Sequence, residues 1–216
     1  MSIYLPVVSF YLTAGKQSIL SGDWMKTDEK ILKTAQALLA SDGFGAVSFD
    51  AIGRSLGMSK QAILYWYPSK KELLAAMLGS WLAAEADAAV AAVDGKDTAN
   101  AAISAFVKAV AAFHLGDLDR FRMMYLAPQT LKADMQAPLD TGTLDQVHAT
   151  TSRMYGALAD RLGGHPRSAR QQATSIHSAV LGVALMFGLA DGIKDPLKHS
   201  QKDLIAALVA RLTDPE

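Results

Sequence analysis

The sequence predicts an all-α chain, built as a three-helix domain with a helix-turn-helix followed by a larger helical domain. Three observations carry this. Apolar residues recur at spacings of three and four, and no alternating strand pattern appears beyond Ser69. Half of the residues are hydrophobic and alanine, which costs a helix least, is abundant. Glycine and proline fall between the periodic stretches, at Gly43, Gly57, Pro68, Gly95, Gly116, Pro128, Pro138, Gly163 and Pro196.

The first 24 residues stand apart. Tyr4 to Leu12 is apolar, but no basic residue precedes it and no persuasive cleavage site follows, so a signal peptide is a poor reading. Met25-Lys26-Thr27-Asp28 reads as a natural start, which makes residues 1–24 an extension, either disordered or a mis-assigned start.

A supporting helix is expected over Asp28 to Ala40, with Ile31, Leu32, Ala35, Leu38 and Leu39 on its apolar face, Thr27 as cap and Gly43 as stop. The next begins at the cap Ser48 and carries Ala51, Ile52, Ser55 and Leu56 on an apolar-to-small face. Gly57 ends it, suited to the left-handed conformation of a sharp turn. Ser59 caps a third helix of about two turns, with Met58 and Ile63 turned to the core and Lys60, Gln61, Ala62 and Tyr65 turned outward. Pro68 closes it, and Ser69 to Glu72 spells Ser-x-x-Glu, a capping box that starts the following helix.

The outward set is chemically suited to a DNA groove. Gln can pair with adenine through two hydrogen bonds, Lys can reach guanine or phosphate, Ala can touch a thymine methyl, and Tyr can bond a phosphate oxygen. The candidate DNA-contacting residues are Ser48, Ser59, Lys60, Gln61, Ala62, Tyr65, Trp66 and Lys70.

Asp42-Gly43-Phe44, Ser48-Phe49-Asp50-Ala51-Ile52, Gly57-Met58-Ser59-Lys60 and Tyr67-Pro68-Ser69-Lys70 recur at intervals that resemble the DNA-binding domain of the TetR/AcrR family of transcriptional regulators. The likeness runs from about Thr27 to Met77. One position departs: where the family usually carries Tyr, this chain has Leu64, and the aromatic hydroxyl comes one residue later at Tyr65.

Past Ser69, helices are expected near residues 70–92, 97–115, 118–127, 141–162, 167–193 and 200–212. In the fifth of these, Ala179 to Ala190 is charge-free and apolar on every side; twelve residues are too few for a bilayer, which takes about 20, so burial on both flanks is expected. Ala184, Gly188 and Gly192 recur every four residues, which suits either a partner subunit or packing within one subunit. The resemblance implies that the last two long helices form a four-helix dimer interface, with Leu181, Ala184, Leu185, Gly188, Leu204 and Leu208 as candidates. Phe106, Phe113, Met123, Tyr125, Met154 and His177 are candidate lining for a small, largely apolar ligand. Domains are thus expected at residues 25–72, for DNA binding, and 73–216, for ligand binding and dimerisation.

Composition is compatible with this. A chain of 216 residues buries about 70% of its unfolded surface and needs no staple. The absence of cysteine excludes disulfides and thiolate metal sites and accords with a reducing cytoplasm. The net charge is zero, and residues 25–75 hold seven basic against five acidic side chains. With so small an excess, DNA affinity must rest on a few placed contacts and on dimerisation.

No nucleophile elbow, phosphate loop, His-Glu-x-x-His or dinucleotide fingerprint occurs, so no enzyme, cofactor or metal is expected. The histidines at 114, 148, 165, 177 and 199 are not at ligand spacing and read as surface or singly bonded core residues; Asp87, Asp94 and Asp97 read as solvated caps. The expected function is a cytoplasmic, homodimeric regulator, most simply a repressor, that binds a palindromic double-stranded DNA operator and is released by a small effector, with no membrane involved. A helical acyl-chain binding protein would share the pocket without salt-dependent DNA affinity. A ligand-independent architectural protein would share the DNA affinity without a ligand response.

Overall fold

The structure, a computed structural model, describes residues 26–126, 141–194 and 196–214. Among the described residues it is helical throughout: α1 (Thr27–Asp42), α2 (Phe49–Leu56), α3 (Lys60–Trp66), α4 (Lys70–Val93), α5 (Ala99–Leu115), α6 (Leu118–Tyr125), α7 (Thr141–Leu162), α8 (Pro166–Gly192) and α9 (Gln201–Thr213), with one 3₁₀ turn at Phe44–Ala46. Each expected helix is present with ends within about two residues, the usual fraying range. The extension 1–24 and the breaks at Pro128 and Pro138 lie outside the described residues.

Local chemistry sets the boundaries. The hydroxyls of Ser48, Ser59, Ser69, Thr98 and Ser200 each accept a backbone N–H three residues on, at 3.1–3.2 Å, which satisfies donors a helix start leaves free. Gly57 takes the left-handed conformation, with φ 65° and ψ 28°. Thr27 is not a cap. It is already the first helical residue, Lys26 occupies the cap position without a side-chain bond, and Asp28 and Glu29 place negative charge in the first turn.

Two apolar cores form. The N-terminal one joins Ile31, Ala35 and Leu39 of α1, Val47, Ile52 of α2, Ile63 of α3 and Leu73, Leu74 and Met77 of α4. A division between residues 72 and 73 would therefore cut through this core, because it needs the first two turns of α4. The second core joins Ala86, Ala89 and Val93 of α4 to Phe106, Val107 and Val110 of α5, Met154 and Leu158 of α7, and Ala173, Ile176 and Val180 of α8. Helix α4 runs unbroken through both. Helix α6, turned 97° from α5, also bridges them: Met123 packs on the N-terminal core while Phe121 packs under α8.

Helices α4 and α8 are each long and apolar enough to cross a membrane, so the count of twelve charge-free residues understates α8. Their apolar character has an internal use. The inner faces supply the second core, and buried Glu85 of α4 is hydrogen-bonded to buried His177 of α8.

The small-residue stripe of α8 is used within the subunit. Ala184 is fully buried, and the Phe121 ring lies 3.4 Å from where a Gly188 side chain would begin. Neither residue is free to face a partner: Ala184 is buried within the chain, and α6 covers Gly188. The outer side of α8 instead exposes Met186 and Leu189, and Ile193, just past the helix end, is exposed too. Leu185, Leu204 and Leu208 are half-buried, and Leu208 leans on the second core.

Candidate nucleic-acid interface and interior site

The turn between α2 and α3 is held by close backbone approach. A side chain at Gly53 would begin 2.6 Å from the Met58 carbonyl oxygen, so only glycine lets α2 and the turn meet. Met58 N–H donates to the Gly53 carbonyl at 2.9 Å. This fixes α3 with Ile63 inward and Lys60, Gln61 and Tyr65 outward, Tyr65 at 80% exposure and Trp66 at 41%. Tyr65 and Trp66 meet edge to face at 5.6 Å, which makes a stiff aromatic corner at the end of the helix. Ala62 is half-buried, and Ser48 and Ser59 spend a lone pair on capping. Leu64 is half-buried.

Two basic groups are positioned by neighbours. Lys60 lies 3.5 Å from Asp50 of α2, both exposed. Lys70 sits over the Phe44 ring at 4.4 Å. Tyr67, by contrast, turns inward: its hydroxyl donates to the Asp28 carbonyl at 3.3 Å and ties α1 to the end of α3. Burial and nearby Asp28 both raise its pKa.

The second site lies inside the larger core. Glu85 is 1% exposed. Its Oε1 accepts from His114 Nε2 of α5 at 2.9 Å and from His177 Nε2 of α8 at 2.7 Å, and its Oε2 accepts from the Tyr125 hydroxyl of α6 at 3.2 Å. His177 Nδ1 in turn meets the Tyr155 hydroxyl of α7 at 2.9 Å. Three helices thus converge on one carboxylate of α4, and a fourth, α7, reaches it through His177. Burial opposes ionisation of Glu85, but the bonds from His114 and His177 outweigh it and hold the pKa down to about 2. Burial and the adjacent carboxylate push the Tyr125 phenol upward.

A cavity of about 180 Å³ adjoins this cluster, lined by Leu82, Glu85, Tyr125, Met154, Tyr155, His177 and Leu181 among others. A second, of about 200 Å³, continues between α4 and α7 toward the N-terminal domain and shares Leu82 and Thr150 with the first.

Of the six expected lining residues, Tyr125, Met154 and His177 reach the cavity. Phe106 does not; it is fully buried behind His177, edge to face at 6.3 Å. Phe113 instead stacks on the Arg120 guanidinium at 4.0 Å, and Met123 packs on the N-terminal core. Leu181, expected at a dimer interface, lines the cavity. His114 and His177 are neither surface nor isolated, since the fold brings them to one oxygen. Asp87 and Asp94 are more than solvated caps: they pair with Arg153 at 2.7 Å and Arg161 at 3.5 Å on α7.

Glu85 escaped the sequence reading because a lone Glu among alanines looks solvated. The signal was its place on the stripe of Leu74, Met77, Trp81 and Ala89, where a charge interrupts apolar residues at helical spacing.

Residues 31–77 match the model of the family described as bacterial regulatory proteins, tetR family. No curated protein matches the chain. Among solved structures, the fold is similar to the regulatory protein SCO4313, with a TM-score of 0.68, 20% identity and coverage of 87% of this chain and 95% of that one. It is also similar to a TetR transcriptional regulator from Legionella pneumophila, with a TM-score of 0.60, 21% identity and coverage of 88% and 98%. A third, a TetR variant from Acinetobacter baumannii AYE in complex with minocycline, gives 0.55, 15% identity, and 88% and 93%. The family match is confined to the helix-turn-helix segment and the start of α4, and over the rest of the described residues the helical fold is similar to those of these solved regulators.

Proposed function

We propose that the chain is a cytoplasmic, homodimeric repressor that binds a palindromic operator through α3 and releases it when a small effector enters the cavity beside Glu85. The observation that carries this is the pairing of an exposed Lys60-Gln61-Tyr65 face with a partly open cavity beside Glu85, joined to it by α4 and α6. Gln61 and Lys60 would read base edges. Ala62 would meet a thymine methyl, while Ser48, Ser59, Tyr65, Trp66 and Lys70 would hold phosphates and sugars.

The effector would be largely apolar, seated against Leu82, Met154 and Leu181 and oriented by Tyr125 and His177. Movement there has two ways to the DNA-binding end: along α4, which carries Glu85 and begins just after α3, and along α6, which carries both Tyr125 and Met123. An effector that favours one setting of these helices shifts the spacing of two recognition helices, ideally about 34 Å apart across a dimer axis. Partner contacts would come from the outer faces of α8 and α9, with Met186, Leu189 and Ile193 joining Leu185, Leu204 and Leu208. The working division is a reading head from residue 25 to the second turn of α4 and a ligand-binding, dimerising body beyond it.

The test is selection of binding sites from random duplex DNA. The wild type is expected to enrich a two-fold symmetric sequence. Gln61→Ala should relax preference at one position per half-site, whereas Lys70→Ala should weaken all sequences alike. No enrichment by the wild type, or an unchanged preference in Gln61→Ala, would refute the assigned reading face.

A further inference from the structure

We propose that Glu85, His114 and His177 form a binding site for one divalent first-row transition-metal ion, with Glu85 Oε1 and both histidine Nε2 atoms as its protein ligands. The candidate ligand atoms lie within 4.8 Å of one another, all three residues are buried, and they come from three separate helices, α4, α5 and α8. A four-coordinate ion with bonds of about 2.0–2.1 Å holds its ligands about 3.3 Å apart. The present separations of 2.9 and 2.7 Å from Oε1 need to open by about half an ångström, while the two Nε2 atoms, which lie within 4.8 Å of each other, draw together toward about 3.3 Å by rotation of their side chains.

The donor set selects the ion. Two imidazole nitrogens and one carboxylate oxygen, with no thiolate available, suit zinc, cobalt, nickel or iron(II). Calcium and magnesium prefer oxygen alone, and copper(I) prefers sulfur. Charge points the same way: the hydrogen-bond partners of Glu85 are two imidazoles and a phenol, with no Lys or Arg among them. A buried carboxylate of this kind gains most from a cation placed directly on it.

Around His177 the surrounding shell can serve both the hydrogen-bonded and the metal-bound arrangement. Both Nε2 atoms face the carboxylate oxygen Oε1, and His177 Nδ1 lies 2.9 Å from the Tyr155 hydroxyl. When an ion takes Nε2 of His177, its Nδ1 carries the proton and the Tyr155 oxygen accepts from it, as a phenol can. The His114 ring is held edge to face by Phe113, Phe121 and Tyr125 at 5.2–5.4 Å, so its orientation is fixed in advance. Its Nδ1 has no hydrogen-bond partner among the described residues. Glu85 and His177 also line the 180 Å³ cavity, which leaves room for solvent or an oxygen-bearing small molecule on the ion's remaining positions.

The experiment uses the full chain, untagged and stripped with a chelator, to which Zn²⁺ or Co²⁺ is added. One ion per chain is expected to survive gel filtration, with visible absorption for Co²⁺ and a raised melting temperature. Long-range ¹⁵N spectra of the wild type should show two of the five imidazoles responding to one equivalent of Zn²⁺. Tyr155→Phe should weaken affinity about 10–100-fold, and His177→Gln or Glu85→Gln should abolish retention. The proposal is overturned if no pair of imidazoles responds, or if folded His177→Gln and Glu85→Gln retain the ion undiminished. Should those variants fail to fold, the wild-type spectra decide alone. Operator binding is measured separately, so a metal site without DNA affinity, or the reverse, tells the two proposals apart.

Discussion

At Gly53 one added methyl carbon would meet the Met58 carbonyl oxygen at 2.6 Å, and neither backbone can yield without moving α3. Gly53→Ala should therefore cost about 1–3 kcal/mol, the range for overpacked sites, measured by urea denaturation. Lys60 offers the opposite case. Its pair with Asp50 is 3.5 Å long and exposed on both sides, worth little to the fold. Lys60→Ala should change stability by less than about 0.5 kcal/mol. It should nonetheless weaken operator binding, and lower the salt slope by about 1 if it holds a phosphate. Loss of stability with unchanged DNA affinity would reverse the roles assigned to these two residues.

Among the elements, those legible in the sequence were the ones with local causes. Ser48, Ser59 and Ser69 announce helix starts through their own hydroxyls, and Gly57 announces a stop through its own backbone, so no distant residue had to be known. Thr27 looked like another such cap, yet a helix can begin one residue earlier when acidic residues in the first turn replace the cap. What could not be read was which faces meet. The Ala184-Gly188 stripe signals only that something comes close, and the something, Phe121, lies more than sixty positions away. Likewise the Glu85–His114–His177 cluster spans separations of 29 and 92 residues, invisible to any motif. Ser69→Ala tests an element directly: it removes the cap of α4 and should lower stability by about 1 kcal/mol in thermal or chemical melts. If stability is unchanged, the 3.2 Å bond to Glu72 N–H contributes nothing to the start of α4.

For the whole molecule, the apolar outer side of α8 bears on assembly. Met186, Leu189 and Ile193 are 53%, 55% and 76% exposed in the single chain, and a partner would bring them out of water. Leu189→Glu with Ile193→Glu is expected to convert a dimer into a monomer, read by light scattering on a sizing column; a wild type that is already monomeric would sink the dimer. The unbroken α4 has a different consequence. Its early turns supply Leu73, Leu74 and Met77 to one core, its later turns supply Ala86, Ala89 and Val93 to the other, and it has no internal joint at which one could melt alone. Reader and body should then unfold in a single calorimetric transition, with amide exchange in α2 and α8 slowed to similar free energies. A segment ending at residue 72 would leave Ile31, Ile52 and Ile63 without their cover, so the reading head cannot be excised there and must live or perish with the rest of the chain.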